Sequence, residues 1–197
     1  IGAEVDRELV EAVAAEIVLA IGDGRLAHDR LVDAVTRTAG MASWTATPRS
    51  MPAPDAGLGV AAARRAVRIE GSLVDLGSPL VVQLVSGYSI AEGRVPWGLA
   101  PHLDGAEQVE VVAAEASPEA LTDRAGTRPI VVVGRHTHRL PASRALIERL
   151  AASHAVGVVE MGWPSDWRPA HAKAFVTTHG ASLANGRAAA EALGIAG

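Results

Sequence analysis

The chain has 197 residues, 49% of them hydrophobic and 20% charged, with a formal net charge of -4 and no cysteine. That length supports one sizeable core with an appendage. Without cysteine there is no disulfide, thiolate zinc site or cysteine nucleophile, and the 18 Lys+Arg lie scattered without a basic, aromatic-interleaved run, which argues against a nucleic-acid partner.

Val5, Leu9, Val13, Ile17 and Ile21 recur every four residues, so the spacing predicts an amphipathic helix over 4–21, stopped by GDG at 22–24. A second helix is predicted from 28 to about 38, ended by Gly40. ATPRSMPAPDAG at 46–57 carries three prolines and no usable period, and reads as a linker between structural units. A short helix is predicted over 60–67.

From Pro79 the character changes. LVVQLV (80–85), VEVVA (109–113), IVVVG (130–134) and AVGVVEMG (155–162) are short β-branched runs bounded by Gly, Pro or charge, and KAFVTT (173–178) follows. A helix over 142–152 presents Leu146, Ile147 and Leu150 on one face, and a last helix over 182–193 begins with Ser182 as N-cap. Wholly apolar strands separated by helices imply a parallel sheet covered on both faces. The expected fold is a three-layer α/β/α sandwich with a mainly parallel sheet, preceded by two helices. The expected division is 1–45 for the leading helices, 46–57 for the linker and 58–197 for the sandwich.

The chain opens on Ile1 and an amphipathic stretch holding acidic residues, so neither a signal peptide nor a membrane partner is expected, and the chain is expected to be the middle or end of a longer protein. GDGRLA (22–27) and GLGVAA (57–62) both fit a loose G-x-G-x-x-A, but no strand precedes either, so they carry no phosphate-binding argument and no cofactor is expected.

The informative stretch is IVVVGRHTHRLP at 130–141. It places Arg135, His136, His138 and Arg139 at the carboxyl end of a buried strand, where open α/β sheets put their ligands. An H-x-H metal site would need a third ligand such as Glu160, which no spacing supplies. An oxyanion or carboxylate facing the two arginines fits better. EMGWPSDW at 160–167 ends the neighbouring strand in the same loop layer. Glu160 invites a reading as a catalytic acid, with Asp166 a weak second carboxylate, against the plainer reading of a pair with the preceding loop's arginines. Trp97, Trp163 and Trp167 all sit beside proline in loops, placed to stack on a sugar or to bury against another domain.

Together IVVVGRHTHRLP, AVGVVEMGWP and AFVTTHGASLANGRAAAEALGIAG strongly resemble the carboxyl-terminal domain of bacterial glycoside hydrolase family 3 β-N-acetylglucosaminidases, where the last strand enters a T-x-G-x-S-type turn and an alanine-rich helix ending in Leu-Gly. The resemblance covers 68–197 and is most specific from Ile130 onward. GRLAHDRLVDAVTRTAGM at 24–41 resembles the last helices of that family's catalytic (β/α)8 barrel. The resemblance implies retaining hydrolysis of terminal β-linked N-acetylglucosamine by a barrel in the same polypeptide, on which this sandwich packs. It does not imply catalysis by this chain, because the family's barrel motif K-H-F-P-G-H-G and its nucleophile segment have no counterpart here. No catalytic residue is assigned. Arg135, His136, His138, Arg139, Glu160 and Trp163 are expected to form a substrate-side or interdomain rim. A free-standing binding module without hydrolase activity is the alternative.

Overall fold

The computed structural model describes residues 5–46, 55, 57–72, 76–85, 96–103 and 105–197. They fall into two compact units, 1–54 and 55–197.

The first unit holds helices α1 (Arg7–Gly22) and α2 (His28–Ala46). Asp6 caps α1 by accepting the Leu9 N–H at 2.8 Å, and Gly24, at φ 73°, takes the left-handed conformation that lets the chain leave the helix. The helix expected to end at Gly40 instead runs on to Ala46. One exposed glycine costs a helix only about 1 kcal/mol, and Met41, Ala42 and Ala46 favour continuing. Neither helix buries any residue within its unit. Val10, Val18, Leu19, Val35, Met41 and Trp44 are all at least half exposed.

The second unit contains helix α3 (Leu58–Ala66) and six strands: β1 (Arg68–Gly71), β2 (Leu80–Leu84), β3 (Glu107–Val111), β4 (Ile130–Gly134), β5 (Val156–Glu160) and β6 (Ala174–Thr177). Among the described residues it also holds helices α4 (Pro118–Ala125), α5 (Pro141–Ser153) and α6 (Leu183–Ala192), with short 3-10 turns at Ala100–His102 and Thr137–Arg139. The sheet order is β1-β6-β5-β4-β2-β3, parallel throughout except β1, which runs antiparallel to β6. This is the expected three-layer α/β/α sandwich. Strand β1 and helix α4 are absent from the sequence reading. The burial pattern of β1 is exposed throughout, so it shows no apolar run; α4 announces itself only by Ser117, whose hydroxyl accepts the Ala120 N–H, and by Pro118 at its first turn.

Successive side chains along a strand point to opposite faces, and the two halves of the core follow that alternation. Leu80, Val82, Ile130, Val132, Val156 and Val158 pack against α4 and α5 through Leu121, Leu146, Ile147 and Leu150. Val81, Val131, Val133, Val159 and Val176 pack on the other side with Ala189 and Ala190 of α6. Valine and isoleucine suit this position because their branched side chains fill a pleated, two-sided surface. On the outside of α6 lies α3, clamped by Arg64, which donates two bonds to Glu191 at 2.6 and 2.7 Å.

Candidate functional site

The chain passes from β2 outward to β3 and then crosses back over β2 to β4, so the winding reverses between β2 and β4. Parallel α/β sheets bind ligands outside the carboxyl ends of their strands at such a reversal. The loops after β4 and β5 both open on this end, and the register that pairs Gly134 with Glu160 sets them side by side.

Glu160 holds them together. It is 1% exposed. Its Oε1 accepts the backbone N–H groups of His136 and Gly162, each at 2.7 Å, and its Oε2 accepts the Thr137 N–H at 2.9 Å and the Thr137 hydroxyl at 2.6 Å. A buried carboxylate is tolerated only where donors replace its lost water, and here four do. The expected pairing of Glu160 with the arginines of the preceding loop is therefore corrected: the partner is that loop's backbone and Thr137. With both oxygens committed and the group buried, Glu160 is a structural knot rather than a proton donor facing a ligand. Asp166 sits exposed on the adjoining loop.

Two glycines make the knot possible. A Cβ on Gly162 would lie 2.5 Å from the His136 nitrogen and 2.8 Å from Glu160 Oε1, and one on Gly134 would lie 2.4 Å from the Thr137 methyl. His136 adopts φ 57°, uncommon for a residue with a side chain, and its N–H bond to Glu160 holds it there. Its ring Nδ1 accepts the Trp163 N–H at 3.2 Å, which leaves the ring proton of the neutral imidazole on Nε2. The His138 ring meets His136 edge-on at 6.2 Å. His138 Nδ1 is buried without a hydrogen-bond partner and lies 4.0 Å from Glu160 Oε2.

The six residues expected at the rim thus divide. His136, His138 and Glu160 form one buried-to-half-buried cluster, with Trp163 attached through its backbone and its side chain 72% exposed. Arg139 is exposed beside it. Arg135 faces the other way, its guanidinium 4.4 Å over the Trp97 ring, where it lines a narrow crevice with Leu84, Thr137 and Ser143. Among the described residues no group of three His, Cys, Asp or Glu is placed to hold a metal ion. Trp167 packs against the core and edge-on to Phe175, so it is no ligand platform.

Sequence reasoning missed Thr137 and Gly162. The glycine two residues beyond Glu160 was the available signal for a carboxylate turned back on its own loop. A wider concavity of about 580 Å³ lies at the opposite end of the sheet, between Thr127, His154, His171 and Lys173.

No protein-family model and no curated sequence matches the chain. Among solved structures it is similar to a glycoside hydrolase family 3 β-N-acetylglucosaminidase from Paenibacillus sp. str. FPU-7, with a TM-score of 0.63 at 17% sequence identity. The match covers 96% of this chain and 42% of that one, so this chain spans less than half the length of its structural neighbour. At this identity the likeness establishes a shared fold.

Proposed function

We propose that this chain is the accessory sandwich domain of a family 3 glycoside hydrolase of β-N-acetylhexosaminidase type. In this reading α1 and α2 belong to the end of a catalytic (β/α)8 barrel in the same polypeptide, 46–57 links barrel to sandwich, and the sandwich packs on the barrel. The observation that carries the reading is the fold likeness over 96% of this chain to 42% of a β-N-acetylglucosaminidase, together with the resemblance of 130–197 to that family's last domain. The apolar faces of α1 and α2 support it, because among the described residues none on this helix pair is fully buried, and even Ile21 and Leu31 are only half-buried, so the pair lacks the closed core that a complete domain has.

Under this proposal the loops after β4 and β5 form the rim. Arg139 and Trp163 make the contacts, Arg135 borders them, and His136, His138 and Glu160 set the loop geometry. The N-acetylglucosamine-containing glycoside binds the barrel, and no residue of this chain is assigned a catalytic role.

The test is release of a chromogenic leaving group from an aryl β-N-acetylglucosaminide by this chain and by a longer polypeptide that includes the barrel. Activity confined to the longer protein is expected. Turnover by the 197-residue chain alone would overturn the accessory role, and inactivity of both would favour a free-standing binding module.

A further inference from the structure

Strand β1 stands at one end of the sheet order and pairs only with β6, so among the described residues its other side is an open edge. All of its residues are exposed. In an antiparallel ladder the backbone groups of successive residues turn alternately toward and away from the neighbouring strand. The Ser72 N–H donates to the Lys173 carbonyl at 2.9 Å, and Glu70 lies opposite Phe175 and Arg68 opposite Thr177 in the same register. Residues 68, 70 and 72 therefore spend their N–H and C=O on β6, and Ile69 turns both outward. Open edges are ordinarily guarded by charge, proline, a bulge or a covering element. Here the charges are of opposite sign and sit symmetrically about Ile69, Arg68 before it and Glu70 after it.

That arrangement is complementary to itself. Laid antiparallel against a second copy about Ile69, the strand sets each Arg68 opposite the partner's Glu70 and Ile69 opposite the partner's Ile69. The backbone agrees with the charges: Ile69 exchanges its outward N–H and C=O with its counterpart, and Arg68 and Glu70 fall in the closer, non-hydrogen-bonded positions where cross-strand side chains interact most. A register centred on Glu70 would set two glutamates against each other, with backbone groups already committed to β6. Within the chain the Arg68 guanidinium bonds only the Arg65 and Val67 carbonyls, while Glu70 takes Arg168 at 2.5 and 3.0 Å and, as a carboxylate, has acceptor capacity left for another cation. Ile69 is 45% exposed, and beside it a groove of about 370 Å³ lined by Val67, Ala188 and Ala192 has room for a second isoleucine side chain. We propose that two copies of this chain dimerise by joining their sheets edge to edge through β1, antiparallel about Ile69, with two reciprocal Arg68–Glu70 pairs fixing the register. The proposal stands apart from the hydrolase reading, because every group in it lies within this sandwich.

The experiment is sedimentation velocity of the 197-residue chain over a concentration series, with circular dichroism to confirm that each variant is folded. Dimer is expected to accumulate with concentration. Arg68→Glu sets glutamate opposite glutamate at both positions and Glu70→Arg sets arginine opposite arginine, so each alone should raise the dimer dissociation constant about tenfold or more. An equimolar mixture of the two should dimerise nearly as the wild type does, since each variant then faces its complement. Ile69→Pro removes only an outward N–H, which an edge strand tolerates, and should abolish dimerisation with the fold retained. If either charge variant unfolds, Ile69→Pro decides. A chain monomeric throughout the series, dimerisation retained by a folded Ile69→Pro protein, or a mixture of folded charge variants that stays monomeric would each overturn the proposal. So would charge variants that associate like the wild type, as association through the exposed apolar faces of α1 and α2 would have it.

Discussion

Replacing Glu160 by glutamine changes almost no volume but breaks the symmetry of the knot. The carboxylate offers an acceptor on each side, to His136 and Gly162 through Oε1 and to Thr137 through Oε2. An amide has one acceptor end and one donor end. With its carbonyl toward His136 and Gly162, its NH₂ faces Thr137, whose hydroxyl can rotate to accept but whose backbone N–H cannot. The reverse orientation leaves two backbone N–H groups unpaired and is worse. The better arrangement therefore orphans one buried N–H, costing about 1–3 kcal/mol. It also removes the charge from two remaining bonds, about 1 kcal/mol each. Relief of the buried charge offsets part of this, so Glu160→Gln should destabilise the sandwich by about 3 kcal/mol. In urea, followed by tryptophan fluorescence, a slope of about 1–3 kcal/mol per molar turns that into a midpoint lowered by about 1–3 M. A midpoint within about 0.3 M of the wild type would refute the claim that these four bonds hold the loops.

Gly162→Ala should destabilise comparably, by about 2–4 kcal/mol, since relieving a 2.5 Å approach to the His136 nitrogen means opening the same bonds; thermal unfolding measures it, and a neutral result would show that the loops shift without loss. Trp163→Ala should leave the midpoint within about 0.5 kcal/mol of wild type, its ring being 72% exposed, while lowering activity in the longer polypeptide if the rim reading holds. Ile147→Ala, at a fully buried core position, should cost about 2–5 kcal/mol in the same denaturation assay. Glu191 is held at about 2 chiefly by its hydrogen bond from Arg64, with further help from Arg187. Its folded-state value lies below the ordinary carboxylate range, so its contribution is present above about pH 4.5 and is lost as the pH falls toward 2. Glu191→Gln should flatten the stability profile over that window; an unchanged slope there would show that the α3–α6 clamp adds nothing.

The layers of this protein were readable because they follow from local chemistry. The runs at 80–85, 130–134 and 155–162 are apolar on both faces, which only a covered parallel sheet tolerates, and Ser182 announced the start of α6, where its side chain and that of Asn185 close a capping box. Where local signals were weak, tertiary pairing decided. Strand β1 has no buried residue and exists because β6 offers an edge with free backbone groups, Ile69 aligning with Val176. Gly40 looked like a stop signal because propensity alone treats glycine as a breaker, whereas its neighbours carried α2 past it. The residue types of the loop cluster were visible as letters, but their roles were not. Whether Glu160 meets arginines or amides depends on the one register that sets Gly134 beside it, on the backbone turn at His136 and on the missing Cβ of Gly162. Composition and periodicity determine which segments must be buried together; the direction in which a buried carboxylate turns is decided only when two strands, distant in sequence, bring their ends to the same place.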